Sequence, residues 1–161
     1  MKRIPLLSLV LALVPAPAGA STPVVGAGGV AVATGDAGTA CGAVVRMLLE
    51  EVTLDRSPLQ VRGRVSVEAN SVCAGALPVP YATDIHVWAG KTEIVHITCW
   101  TAFSCGSPQV AFALPPGETV SAASHHWWDV PAGRTWNAAT PGLCTIKNPR
   151  VFCGAYALAT P

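Results

Sequence analysis

The 161-residue chain has 51% hydrophobic residues, six cysteines, and ten basic against nine acidic residues. A net charge of +1 without a basic run argues against a nucleic-acid partner, and the lack of an acidic block argues against a cation-binding tail. Arg outnumbers Lys, and Ala, Val, Gly and Pro are abundant, which is a bias typical of GC-rich bacterial genomes.

The first 20 residues have the three parts of a secretory signal peptide. Lys2-Arg3 is the basic start, residues 4–14 form the apolar core, and Ala18-Gly19-Ala20 matches the small-residue cleavage pattern. The apolar core is too short to span a bilayer, and no later stretch approaches that length. We therefore predict a secreted, extracellular protein without a membrane span. A retained, uncleaved anchor is the alternative.

Cleavage after Ala20 would leave 141 residues, with eight basic and nine acidic side chains and a net charge near −1. Residues 21–40 are rich in Gly, Ala and Thr and are predicted to be a flexible N-terminal segment with at most a short strand, at Val30, Val32 and Thr34. Residues 41–161 are predicted to form a single domain, because a chain of this length can bury roughly two thirds of its unfolded surface.

All six cysteines follow the signal peptide, and an even number in an exported chain predicts three disulfides. The sequential pairing is favoured because the later cysteines flank predicted connections between strands. No C-x-x-C pair occurs, and an oxidising compartment favours disulfides over thiolate metal sites. The predicted pairs are Cys41–Cys73, Cys99–Cys105 and Cys144–Cys153.

Residues 43–54 fit two patterns. Their apolar side chains recur at helical spacing, but Val45, Met47 and Leu49 also alternate as on a strand, with a phase shift near Glu50-Glu51. We favour a bulged strand because the segment begins with β-branched residues and an all-β context follows.

Alternation is cleanest over residues 59–69, which predicts a strand with one core face and one wet face. Further strands are predicted over residues 110–114, 119–130 and 150–159, each bounded by Pro or Gly turns. Residues 134–148 are predicted to be mostly loop.

Residues 82–106 are predicted to form a β-hairpin that ends in a cysteine-closed loop. A three-residue turn, Ala89-Gly90-Lys91, pairs Asp84 with His96 and sets the apolar positions on one face. The predicted inward residues are Ile85, Val87, Val95, Ile97 and Cys99.

Roughly seven short strands separated by turns predict an all-β fold, an antiparallel β-sandwich of immunoglobulin-like architecture stapled by disulfides. The Cys-Trp-Cys spacing of antibody domains is not evident, so the prediction covers only the broad architecture. A small barrel is the competing topology.

No catalytic or cofactor motif stands out. A Ser-His-Asp triad would need Ser124, His125 or His126, and Asp129, but no G-x-S-x-G elbow is present. Neighbouring residues in a strand also point to opposite faces, which separates Ser124 from His125. We predict a protein that is not an enzyme and has no cofactor.

Trp100 and Phe103 lie inside the loop that Cys99 and Cys105 close. A disulfide would preorganise this loop for binding, and Trp is enriched at interface hot spots. The alternative is that both rings cap the core. The predicted function is a secreted, monomeric binding module whose contact surface is this loop, with an unknown protein or glycan as its ligand.

Two other functions fit the sequence. A metal-binding protein or metal-dependent enzyme would use Asp84, His86 and His96, since cross-strand neighbours approach within about 5 Å. Because exposed strand faces often carry such residues without a metal, we expect no stoichiometric transition metal. A secreted protease inhibitor that presents a disulfide-held loop is the second alternative.

Overall fold

The computed structural model describes residues 24–28, 30–36, 38–74, 80–147 and 149–161. The predicted signal peptide lies outside these residues. Thirteen strands and no helix occur in the described ranges. It follows that no helix there is long and apolar enough to cross a membrane. In chain order the strands are β1 (Val24–Val25), β2 (Ala27–Gly28), β3 (Val30–Gly35), β4 (Ala40–Arg56), β5 (Leu59–Ala74), β6 (Ala82–Ala89), β7 (Thr92–Trp100), β8 (Ser104–Gly106), β9 (Val110–Leu114), β10 (Val120–Asp129), β11 (Trp136–Ala139), β12 (Cys144–Lys147) and β13 (Arg150–Ala159).

These strands form two antiparallel sheets that pack on one shared core. The first sheet has the order β11-β3-β4-β5-β8, with β1 also beside β4 and β9 also beside β5. The second has the order β12-β13-β10-β6-β7, with β2 also beside β13. The fold is therefore an all-β antiparallel sandwich, as predicted, rather than a closed barrel. The immunoglobulin-like architecture stays a prediction.

The ambiguous segment 43–54 belongs to β4 and is a strand. Its pairing with β5 shifts register just after Glu50, and Glu51 has a φ of 53°. This is the bulge expected where the apolar phase changes. The buried residues of this segment before the bulge are Ala43, Val45, Met47 and Leu49.

The N-terminal segment contributes more strands than the sequence predicted. Besides β3, its described part forms β1, which pairs with β4 of the first sheet, and β2, which pairs with β13 of the second. Gly26 joins β1 to β2, and a Cβ at this position would lie 2.8 Å from Cε of Met47. A larger residue would therefore require the end of the Met47 side chain to shift where the chain passes between the sheets.

The prediction that residues 134–148 are mostly loop is wrong. They contain β11, which pairs with β3, and β12, which pairs with β13. Strands of four residues are too short for alternation to mark them. The partner of β11 is also distant in sequence, whereas β12 pairs with the strand that follows it directly. Trp136 is buried in the core.

The predicted three-residue hairpin turn is also wrong. Ala89 pairs with Thr92, so the turn between β6 and β7 is Gly90-Lys91. Gly90 has a φ of 58°, as the first position of a glycine-containing two-residue turn requires. The register shifts just beyond Val87, leaving Ile94 as the extra residue.

The hairpin faces are nevertheless as predicted. The true register differs from the predicted one by two residues over most of the hairpin, and a shift of two leaves every side chain on its original face. What changes is the cross-strand neighbour: His96 lies opposite His86, whereas Asp84 lies opposite Thr98. The inward side chains are Ile85, Val87 and Val95, which are buried, and Ile97 and Cys99, which are partly buried.

Three disulfides join sequential cysteine pairs, and no cysteine in the described ranges is free. Cys41–Cys73 and Cys144–Cys153 each join directly opposite residues of a strand pair. Cys99–Cys105 joins β7 of the second sheet to β8 of the first. Two of the bridges therefore link the paired strands of a hairpin, and the third links the two sheets.

Candidate functional site

The outer face of the second sheet carries most of the aromatic and imidazole side chains. Alternate residues of a strand point to opposite faces, so the residues between the core positions of β6, β7, β10 and β13 point outward. The outward set includes Asp84, His86, Trp88, His96, Thr98, Trp100, His125, Trp127, Arg150, Phe152 and Tyr156.

A shallow depression lies at one end of this face. We call it the aromatic cleft, and define it by Tyr81, Trp100, Trp127 and Arg150. Its volume is about 280 Å³, and its lining also includes Asp84 and Thr98. The cleft therefore combines three aromatic rings with one acidic and one basic side chain.

A second depression, of about 290 Å³, adjoins the cleft and shares two of its side chains, Trp127 and Arg150. Phe152 and Lys147 line its other side, and the rings of Trp127 and Phe152 lie 5.2 Å apart. The depressed part of this face thus continues across β13 beyond the cleft.

Trp100 and Phe103 are both exposed, with 61% and 43% of their surface accessible. Trp100 lines the aromatic cleft, where its ring meets Tyr81 edge to face with centroids 5.4 Å apart. Phe103 lines a different depression, beside Val44 and Arg46 of the first sheet. The loop thus exposes both predicted contact residues but does not bring them to one surface.

The loop closed by Cys99–Cys105 is held by backbone hydrogen bonds as well as by its disulfide. The Thr101 amide donates to the Tyr81 carbonyl at 3.2 Å, and the Ser71 amide donates to the Phe103 carbonyl at 2.7 Å. Thr101 has a φ of 51°, which marks a tight reversal. Trp100 is consequently presented on a preorganised segment.

Arg150 is fixed on the opposite side of the cleft. Its Nε donates to Oδ1 of Asp129 at 2.7 Å, and its guanidinium carbon lies 4.9 Å from the centroid of the Tyr81 ring. The hydrogen bond to Asp129 raises the pKa of Arg150. The cleft therefore keeps a positive charge with a defined orientation.

The structure brings together the three side chains predicted as an alternative metal site. Asp84, His86 and His96, which we call the histidine cluster, each offer a donor atom, and these atoms lie within 4.8 Å of one another. The two imidazoles stack with centroids 4.2 Å apart. Glu93 Oε1 lies 2.6 Å from His86 Nδ1 and accepts a hydrogen bond from it.

His125 lies beside this cluster on β10, with its ring 5.5 Å from that of His86. Burial is the main cause that lowers the pKa of His125, repulsion from His86 lowers it further, and Asp84 opposes both. His125 is thus an uncharged ring near neutral pH, at the side of the cluster that faces Phe152.

His126 points the other way, into the core between the sheets, and is fully buried. Its Nδ1 is 2.7 Å from Ser71 Oγ of the first sheet, and its Nε2 is 2.9 Å from Ser124 Oγ. Thr83 Oγ1 lies 3.4 Å from Nδ1. Burial, and secondarily the neighbouring His125, lower the pKa of His126 to about 4.

The components of the Ser-His-Asp arrangement considered from sequence are therefore divided between two places. Ser124 and His126 are hydrogen-bonded but have no accessible surface. Asp129 lies at the surface, where it binds Arg150. Ser124 and His126 both belong to β10, and the contact that joins the two sheets is the one between His126 and Ser71.

No protein-family model matches this chain, and neither a curated protein nor a solved structure shows significant similarity to it. The two surface features that bear on function are the aromatic cleft and the histidine cluster.

Sequence reasoning missed three members of the aromatic cleft: Tyr81, Trp127 and Arg150. Alternation along residues 119–130 does place Trp127 on the outer face, together with Asp129. The missing information was strand order, because only the pairing of β10 with both β6 and β13 sets Trp127 between Tyr81 and Arg150.

Proposed function

We propose that this chain is a small, exported, non-catalytic binding module, and that its contact surface is the Cys99–Cys105 loop together with the aromatic cleft. The observation that carries the proposal is the position of Trp100. Its ring is 61% exposed on a loop held by a disulfide, and it stands beside Tyr81 and across from Arg150.

The composition of the cleft favours a protein partner over a glycan. Trp, Tyr and Arg are the three residue types most enriched at protein–protein hot spots. Here they occur together and are held in place, Arg150 by Asp129 and Trp100 by the disulfide-closed loop. Side chains held before binding lose less conformational entropy when the partner docks.

Replacing Trp100 by alanine is expected to weaken partner binding by about 30-fold or more, which corresponds to about 2 kcal/mol at a hot spot. The same change should alter the free energy of unfolding by no more than about 1 kcal/mol, because the ring is exposed and loses mainly its edge-to-face contact with Tyr81. Isothermal titration calorimetry and urea denaturation measure the two quantities.

Tyr156→Ala is the matched control for this experiment. Tyr156 is an equally exposed aromatic residue on the same sheet face, but it lies six residues from Arg150 along β13, a separation of about 20 Å. The partner is first isolated on immobilised wild-type protein from the medium of the producing cells, and its affinity is then measured with pure components. Equal affinities for wild type and Trp100→Ala would contradict the proposal. If the isolated partner is a glycan, and Trp100→Ala loses its binding whereas Tyr156→Ala keeps it, the proposed contact surface stands but the partner is a glycan and not a protein.

Export is supported by the signal-like first 20 residues and by the three disulfides, since such bridges persist in oxidising compartments. We predict a mature chain that begins at Ser21 and has no free thiol. Intact-mass measurement of secreted protein, with thiol labelling before and after reduction, tests both points. A mass that retains residues 1–20, or labelling without reductant, would refute the prediction.

A further inference from the structure

We propose that the histidine cluster, Asp84, His86 and His96, is a binding site for one Zn²⁺ ion. This inference rests on observations other than those that carry the proposed binding function, although Asp84 also lines the aromatic cleft, and it revises our sequence-based expectation that no metal is held. The revision comes from the observed hairpin register, which sets His96 directly opposite His86 rather than opposite Asp84.

The positions of the donors suit one ion. Asp84 precedes His86 by two residues on β6, so both point outward, and His96 reaches the same point from β7. The three donor atoms lie within 4.8 Å of one another. Two ligand atoms of a tetrahedral zinc ion lie about 3.4 Å apart, given bond lengths of about 2.1 Å, so side-chain rotations that bring the donors roughly 1 Å closer close the site.

The chemistry of the donors selects the type of ion. Two imidazole nitrogens and one carboxylate oxygen form a ligand set used by zinc, and three protein ligands leave one coordination position open. Alkaline-earth cations prefer all-oxygen sites, so Ca²⁺ and Mg²⁺ should not compete. Cu²⁺ should bind at least as tightly as Zn²⁺, as the usual order of divalent affinities requires.

Glu93 supplies a second, separate feature that points to a metal. Its Oε1 lies 2.6 Å from Nδ1 of His86. An ionised carboxylate can only accept a hydrogen bond, so Nδ1 carries the proton, and in the neutral ring that binds a metal Nε2 then provides the lone pair. Histidines that bind metals commonly donate their second nitrogen to a carboxylate in this way, which fixes the ring and raises its basicity.

The site lies where a bound ion would also affect the fold. β7 is the last strand of the second sheet and pairs there only with β6 among the described strands. Because the ligands come from both strands, a bound ion would hold β7 against β6. Zinc should therefore raise the melting temperature of the protein in proportion to site occupancy.

The direct test is titration of untagged, chelator-treated protein with ZnCl₂ at neutral pH in a calorimeter. We expect about one equivalent of Zn²⁺ to bind. His96→Ala should weaken binding by about 30-fold or more, because one of only three ligands is lost. Glu93→Gln should weaken it by about 10–100-fold, as expected when a carboxylate partner of a ligating histidine is removed.

His125→Gln is the matched control. This imidazole lies 5.5 Å from His86 but is not one of the three clustered donors. The variant should keep the wild-type zinc affinity and the zinc-dependent rise in melting temperature, whereas His96→Ala should lose both. Because His96 is exposed, its replacement should leave the fold intact.

Two results would overturn the proposal. The first is an absence of zinc binding to wild-type protein at millimolar ZnCl₂. The second is binding that His96→Ala leaves unchanged or that His125→Gln abolishes, since either result would place the ion elsewhere.

Discussion

Replacing Trp128 by alanine is expected to destabilise the protein by about 3–5 kcal/mol, as truncation of a fully enclosed aromatic side chain does. Trp128 has no accessible surface and lies on the inward face of β10, stacked 5.8 Å from His126. Its indole Nε1 has no hydrogen-bond partner among the described residues. The loss should therefore come from the cavity and from lost packing rather than from a broken hydrogen bond.

The neighbouring Trp127 provides the control for this prediction. Trp127 points outward into the aromatic cleft and is only partly buried. Trp127→Ala should reduce the free energy of unfolding by roughly 1 kcal/mol, in the range of partly exposed positions. Urea denaturation monitored by far-UV circular dichroism measures both variants. Equal losses, or a larger loss for Trp127→Ala, would show that the two faces of β10 are assigned wrongly.

Acidification is expected to remove about 3 kcal/mol of stability through His126 as the pH falls from about 6.5 to about 4. Burial lowers the pKa of His126 in the folded protein to about 4, whereas the unfolded chain has the ordinary value near 6.5. Within this window the unfolded state takes up the proton and the folded state does not. The stability that neutral His126 contributes is therefore fully present above the pKa of the unfolded chain, and it is lost as the pH falls toward the pKa of the folded protein.

The variant His126→Gln isolates this contribution. Glutamine keeps both donor and acceptor groups for Ser71 and Ser124 but does not titrate. The measurement compares urea-unfolding free energies near neutral pH and near pH 4 for the wild type and the variant. The carboxylates and His125 titrate in both proteins, so their contributions cancel in the difference. A wild-type loss no larger than that of His126→Gln would contradict a buried, neutral His126.

Side-chain periodicity explains how far the fold was predictable. Alternation along residues 59–69 predicted the core face of that strand correctly except at Leu59, which is 60% exposed. Alternation along residues 119–130 separated the two faces of the strand but did not indicate which face enters the core. β-branched residues correctly marked 43–54 as a strand. The hairpin error did not alter the faces, because a two-residue shift preserves them. It did alter the residue opposite His96, which is His86 and not Asp84, and this change is the basis of the proposed zinc site.

The aromatic cleft was predictable only in part. Trp100 could be identified from sequence because it lies between two cysteines that close a short loop. Tyr81, Trp127 and Arg150 become its neighbours through the order of β13, β10, β6 and β7, and these pairings join positions far apart in the chain. Local sequence patterns do not predict which strands become neighbours, because any strand with an apolar face can occupy a given place in a sheet.

The disulfide connectivity also determines how the oxidised chain can assemble. The three bridges close rings over residues 41–73, 99–105 and 144–153, and no ring overlaps or encloses another. Each bridge needs only the two strands that flank its own connection. Thiol oxidation can thus proceed in any order, and no earlier bridge has to reopen before a later one forms.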